Sequence, residues 1–67
     1  MTVARVTEIT ASSSKSFEDA VRKGINRSIK TLQNVTGAWV QEQCVVVEDN
    51  EIVEYRVNMK VTFVLKD

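Results

Sequence analysis

From Val53 to Leu65 apolar side chains occupy every second position: Val53, Tyr55, Val57, Met59, Val61, Phe63 and Leu65, with Glu54, Arg56, Asn58, Lys60, Thr62 and Val64 between them. Period two over such a stretch predicts one long strand with a buried face and a wetter one. Taken from Glu51 to Leu65, that strand spans roughly 50 Å at about 3.3 Å per residue. A compact globule of this chain length is only about 28 Å across. The one helix the sequence offers, Phe17 to Gln33, covers about 25 Å. A single helix therefore cannot shield one face of the sheet, and further copies of the chain are expected to complete the cover.

Length points the same way. The chain has 67 residues, one domain over 1–67, and a chain this short buries only about 60% of its unfolded surface. Disulfides, a metal or oligomerisation are the usual remedies. Cys44 is the only cysteine and histidine is absent, which removes an intrachain disulfide and the commonest zinc and haem ligand. Oligomerisation remains. Nine basic and nine acidic residues give a net charge of zero. That argues against general nucleic-acid or anionic-membrane binding, both of which need a basic excess. The N-terminal Met1-Thr2-Val3-Ala4-Arg5 opens no long apolar stretch, so neither a signal peptide nor a spanning helix is expected. A lone cysteine fits a reducing compartment, the cytoplasm.

The other elements follow from local signals. Val3 to Thr10, rich in β-branched residues, reads as a first strand. The Ser12-Ser13-Ser14-Lys15-Ser16 run reads as a loop feeding a helix, with Ser16 as N-cap and Asp19 at the capping-box position. Glu18 and Asp19 suit the positive end of the helix dipole. Phe17, Ala20, Val21, Gly24, Ile25, Ser28, Ile29 and Leu32 recur at helical spacing. Gly24 costs about 1 kcal/mol relative to alanine in mid-helix, but with Ser28 it makes a small-residue stripe that allows close packing on a sheet. Asn34 to Gly37 should end the helix, with Gly37 at positive φ. Ala38 to Glu48 reads as a second strand, joined to the third through Asp49-Asn50. The fold class is α+β, in the order β-α-β-β, with a three-stranded antiparallel sheet wrapped on one helix and assembled into a hollow oligomer.

A two-residue turn pairs Glu48 with Glu51. An unbroken register then pairs Val46 with Val53, Cys44 with Tyr55 and Val40 with Met59 on the helix side, so Cys44 is expected to be buried. Trp39, Gln41, Gln43, Val45 and Val47 take the other face, beside Ile52, Glu54, Arg56, Asn58 and Lys60. Glu42 fits badly, falling on the helix side opposite Val57, where it needs a cationic partner such as Arg5, Arg27 or Lys30.

No residue pattern supports catalysis. The commonest general base is missing, and Gly24 and Gly37 are the only glycines, so no glycine-rich phosphate loop exists. Glu48, Asp49, Glu51 and Glu54 gather near the hairpin and can collect a hard cation only if several copies meet there. A solvated acidic turn is the plainer reading, and the basic helix face of Arg22, Lys23, Arg27 and Lys30 reads as solvated.

Several segments together resemble the dodecins, small β-α-β-β proteins that form hollow twelve-subunit shells. They are Glu8-Ile9, Ser16-Phe17-Glu18-Asp19-Ala20, Thr31-Leu32-Gln33-Asn34, Val40-Gln41-Glu42-Gln43, Tyr55-Arg56-Val57, Lys60-Val61 and Phe63. The resemblance implies a homododecamer that binds and sequesters a small planar ligand without catalysis, with flavin (riboflavin, FMN or FAD) as the expected cofactor. In flavin-binding members a tryptophan early in strand two stacks on the isoalloxazine ring, and a glutamine after the aromatic residue of strand three hydrogen-bonds it. Gly37 and Arg56 stand at those positions here. Trp39 lies two residues later, on the same face and displaced by about 6.6 Å. The expected ligand-binding set is therefore Trp39, Gln41, Gln43 and Arg56, with no catalytic and no metal-ligating residue. The alternative is a structural or cation-binding shell in which Trp39 is only an interface residue.

Overall fold

The structure, a computed structural model, describes residues 2–65. The elements are β1 (Ala4–Ser13), α1 (Phe17–Thr31), β2 (Val35–Glu48) and β3 (Glu51–Val64). All pairings are antiparallel and the sheet order is β1-β3-β2, so β3 is central. The chain measures 51 × 19 × 13 Å, matching the length expected of the third strand and leaving almost no thickness for a core.

The helix begins as the sequence predicts. Ser16 is extended at φ −170° and its hydroxyl accepts from the Asp19 N–H at 3.0 Å, which satisfies one of the unpaired first-turn donors. Asp19 does not reach back to close a capping box. Its carboxylate accepts from the Ser13 hydroxyl at 2.6 Å and faces Lys23 Nζ at 3.3 Å. That contact explains why β1 runs through Ser13, past the expected end at Thr10: the serine run holds the last strand residue and the N-cap of the helix. Helix α1 stops at Thr31, earlier than predicted. The left-handed residue that turns the chain is Asn34 at φ 61°, not Gly37, which sits inside β2 with no positive φ. Asparagine tolerates that region because its short polar side chain bonds locally.

Ala20, Gly24 and Ser28 form the buried stripe of α1. They lie on β1 and β3, against Val57 and Met59, with Ile9, Ala11, Phe17, Val21 and Ile25 packed around them. Gly24 permits the approach: a Cβ there would stand 2.5 Å from Met59 Cε and 3.0 Å from Ala11 Cβ. Phe17 and Tyr55 close one end edge to face, with ring centroids 5.1 Å apart. The only large side chains fully buried among the described residues are Met59, Val57 and Val61. The helix leaves β2 essentially uncovered. Val47 and Ile52, near the hairpin tip, are 56% and 52% exposed.

The hairpin turn is as predicted: Asp49 and Asn50 both take positive φ, 52° and 63°, the geometry of a type I′ turn. Glu48 faces Glu51 and Val40 faces Met59, also as predicted. Between those points the register differs. Val46 faces Glu54, Val45 faces Tyr55, Gln43 faces Val57, Cys44 faces Arg56 and Glu42 faces Asn58. One extra residue on β3, Val53, starts the shift, and one extra residue on β2, Gln41, cancels it. Each is a β-bulge, and the stretch between them is turned over.

Candidate functional site

Residues directly opposite one another in an antiparallel pair share a face. The face turned away from α1 is therefore read row by row across β1, β3 and β2. Ser12, Arg56 and Cys44 form one row. Thr10, Asn58 and Glu42 form the next, then Glu8, Lys60 and Trp39, then Val6, Thr62 and Gly37. Successive rows are about 6.6 Å apart along the strands. Trp39 stands on this face 49% exposed, on the same side as Gly37, as the sequence predicts.

The other expected ligand residues divide. Arg56 shares the face of Trp39 but lies two rows away. Its guanidinium donates to Glu54 Oε1 at 3.2 Å. The Glu54 carboxyl is held below its ordinary range by a hydrogen bond from the Ser12 hydroxyl first and by Arg56 second. Gln41 is the unpaired bulge residue between the two. Gln43 does not share the face of Trp39, because the bulge places it opposite core residue Val57. The same shift corrects two further expectations. Cys44 is exposed, not buried under the helix, and Glu42 leaves the helix side, so it needs no buried cationic partner.

Between Trp39 and Arg56 lies a groove of about 320 Å³ lined by Thr10, Glu42, Cys44, Arg56 and Asn58. Asn58 Nδ2 donates to Thr10 Oγ1 at 3.4 Å. Asn58 Oδ1 is buried and has no partner among the described residues. Four of these groove residues, Thr10, Glu42, Cys44 and Asn58, were not foreseen as site residues. The misfit of Glu42 on a predicted core face was the signal that could have found them, since an acid in a core position marks a register shift as readily as a buried ion pair. A larger groove, about 480 Å³, lies between α1 and β1 and includes Lys23, Gly24, Arg27 and Ser28, but none of the expected ligand residues. Among the described residues no group of three His, Cys, Asp or Glu side chains is placed to hold a metal. No helix among them is long and apolar enough to cross a membrane.

Comparison with known proteins agrees with this architecture. A dodecin from Streptomyces davaonensis is 36% identical, covers 98% of this chain and 97% of its own, and superposes with a TM-score of 0.94. A dodecin from Streptomyces coelicolor is 27% identical over 98% and 94% of the two chains, also at 0.94. The calcium dodecin from Mycobacterium tuberculosis, a calcium-chelating antigen with a calcium-binding site, is 26% identical over 96% and 91%, at 0.84. No curated protein matches the chain. The family model for dodecin matches residues 3–66, and the chain thus belongs to the dodecin family of non-enzymatic, small-ligand-binding proteins.

Proposed function

We propose that this single-domain chain is one subunit of a homododecameric shell that stacks a small planar ligand of the flavin class on Trp39 and sequesters it without chemistry. The observation that carries the reading is Trp39 itself. A tryptophan 49% exposed on a sheet face that the helix leaves bare is a ready stacking platform. The resemblance puts the family's stacking tryptophan at Gly37, which lies one row further along the same face, so a ring on Trp39 would sit displaced by about 6.6 Å. Gly37 leaves open space there, with no atom within 4 Å of a Cβ built at that position. Arg56 supplies a polar contact two rows away and Gln41 lies at the bulge between. Gln43 reaches a ligand only on the opposite face of the sheet. Assembly is supported by the bare β2 strand and by the thin core, since a lone subunit would expose Trp39, Val40, Val45, Val47, Ile52 and Val53 together.

The test is a fluorescence titration with riboflavin, FMN and FAD. Saturable quenching at a fixed stoichiometry, lost in Trp39→Ala while sedimentation still shows the large assembly, is the expected outcome. Quenching that survives Trp39→Ala would overturn the assignment of the platform, and a monomer in sedimentation would overturn the shell.

A second reading, a cation-binding shell, has one observation of its own. Glu48 and Glu51 face each other directly at the hairpin tip with Asp49 in the turn, and like charges directly opposite are destabilising. A hard cation shared between hairpins of several copies would relieve that repulsion, and one similar protein is a calcium dodecin. Calorimetric titration with calcium, in the wild type and in Glu48→Gln/Glu51→Gln, separates this reading from the first.

A further inference from the structure

The row next to Trp39 holds two acceptors that no donor among the described residues satisfies. Glu42 is exposed and belongs to none of the ion pairs or hydrogen bonds among the described residues. Asn58 Oδ1, directly across from it, has no partner either. The nearby cation on this side, Arg56, is already engaged by Glu54 at 3.2 Å. Lys60, opposite Trp39, forms no ion pair with Glu42. The groove thus sets a free carboxylate and an orphan amide oxygen beside a bare indole face.

A carboxylate is best met by two parallel N–H donors, which is why planar forked donors pair with it in bidentate fashion. A flat ring stacked on Trp39 extends toward the neighbouring row, about 6.6 Å away, so one edge of that ring would meet Glu42. An imide edge, one N–H between two carbonyls, aims acceptors at the carboxylate. A 2-amino-4-oxo edge, with ring N–H and exocyclic NH2 side by side, presents two donors. We infer that Glu42, with Asn58 in the same row, selects planar heterocycles bearing this two-donor edge, the edge shared by pterins and guanine, over imide-edged rings of the same shape. The inference rests on Trp39 as the stacking platform and narrows which rings that platform keeps. It gives Glu42, a misfit in the unbroken register, a role that only the bulge at Gln41 makes available.

The test uses matched pairs on the intact assembly by isothermal titration calorimetry: pterin against lumazine, which carries a carbonyl in place of the 2-amino group, and guanosine against inosine, which lacks it. A charged hydrogen-bonded pair in a partly open groove predicts about a tenfold preference for pterin and guanosine. Glu42→Gln should level each pair, while Trp39→Ala should weaken all four. Whichever of pterin and guanosine binds more tightly names the source of the edge. Equal binding of pterin, lumazine and riboflavin overturns the inference and leaves the stacking platform standing. Binding of no ring overturns both. Calcium binding that disappears in Glu42→Gln, without discrimination within either pair, assigns the carboxylate to a cation and overturns the inference.

Discussion

Replacing Gly24 by alanine sets two effects of known sign against each other. An alanine in the interior of α1 should gain about 1 kcal/mol in helix propensity. Its Cβ would stand 2.5 Å from Met59 Cε, 3.0 Å from Ala11 Cβ and 3.4 Å from Ile9 Cδ1, while carbon atoms rest at about 3.5–4.0 Å. The Met59 methyl ends a flexible side chain, but Met59 is fully buried and has no open side to turn into. The Ala11 Cβ is fixed to the backbone of β1. Overpacking of this kind costs about 1–3 kcal/mol, so the net expectation is a loss of up to about 2 kcal/mol. Urea unfolding followed by circular dichroism measures it, with protein concentration held constant because an assembly's midpoint depends on it. The cycle with Met59→Ala identifies the cause. Removing the opposing methyl should make Gly24→Ala less harmful than in the wild type, a coupling of about 1 kcal/mol or more between contacting residues. A wild-type background stabilised by the full propensity gain, or a cycle with no coupling, would refute the packing argument.

Three further outcomes are expected. Ser16→Ala removes the side-chain acceptor for the Asp19 N–H and should cost about 1 kcal/mol in the same unfolding assay. The Asp19 carboxyl is held below its ordinary 3.8, chiefly by the Ser13 hydroxyl and then by Lys23; a carboxylate with a depressed folded pKa stabilises above its unfolded value and loses that contribution as pH falls through the folded one. The link between β1 and α1 should therefore weaken only in acid, and Ser13→Ala should move the Asp19 titration upward in carboxyl-detected NMR. Val47→Ser together with Ile52→Ser strips the apolar pair near the hairpin tip; each side chain is worth about 1.5–3 kcal/mol if assembly buries it, so sedimentation should show dissociation at concentrations where the wild type stays assembled.

The elements themselves were legible because each carries its own local signal: period two in β3, the Phe17–Leu32 stripe, the Ser16 cap, the Asp49-Asn50 turn. The match to the dodecin family was legible in the same segments. What could not be read was phase. Nothing in Gln41 or Val53 announces a bulge, and with both strands rich in valine and polar residues either face is tolerable. Cys44, Gln43 and Glu42 were consequently assigned to the wrong sides, while Trp39, outside the shifted stretch, was assigned correctly. The helix end was misjudged for a different reason: a glycine was expected where left-handed backbone was needed, and Asn34 served instead.

The paired bulges also bear on how this sequence can change length. Val53 adds one residue to β3 and Gln41 adds one to β2, and the two offsets cancel, so the hairpin reaches Trp39 with its alternation restored. Deleting Gln41 or Val53 alone removes one bulge and leaves the pairings on either side of it in place, so no side chain changes face. Deleting both gives an unbroken ladder with the same partners, so Glu42 stays opposite Asn58 and Cys44 opposite Arg56 on the groove face. Loss of a residue is therefore absorbed at Gln41 and Val53, whereas loss of a paired residue between them forces the ladder to shift.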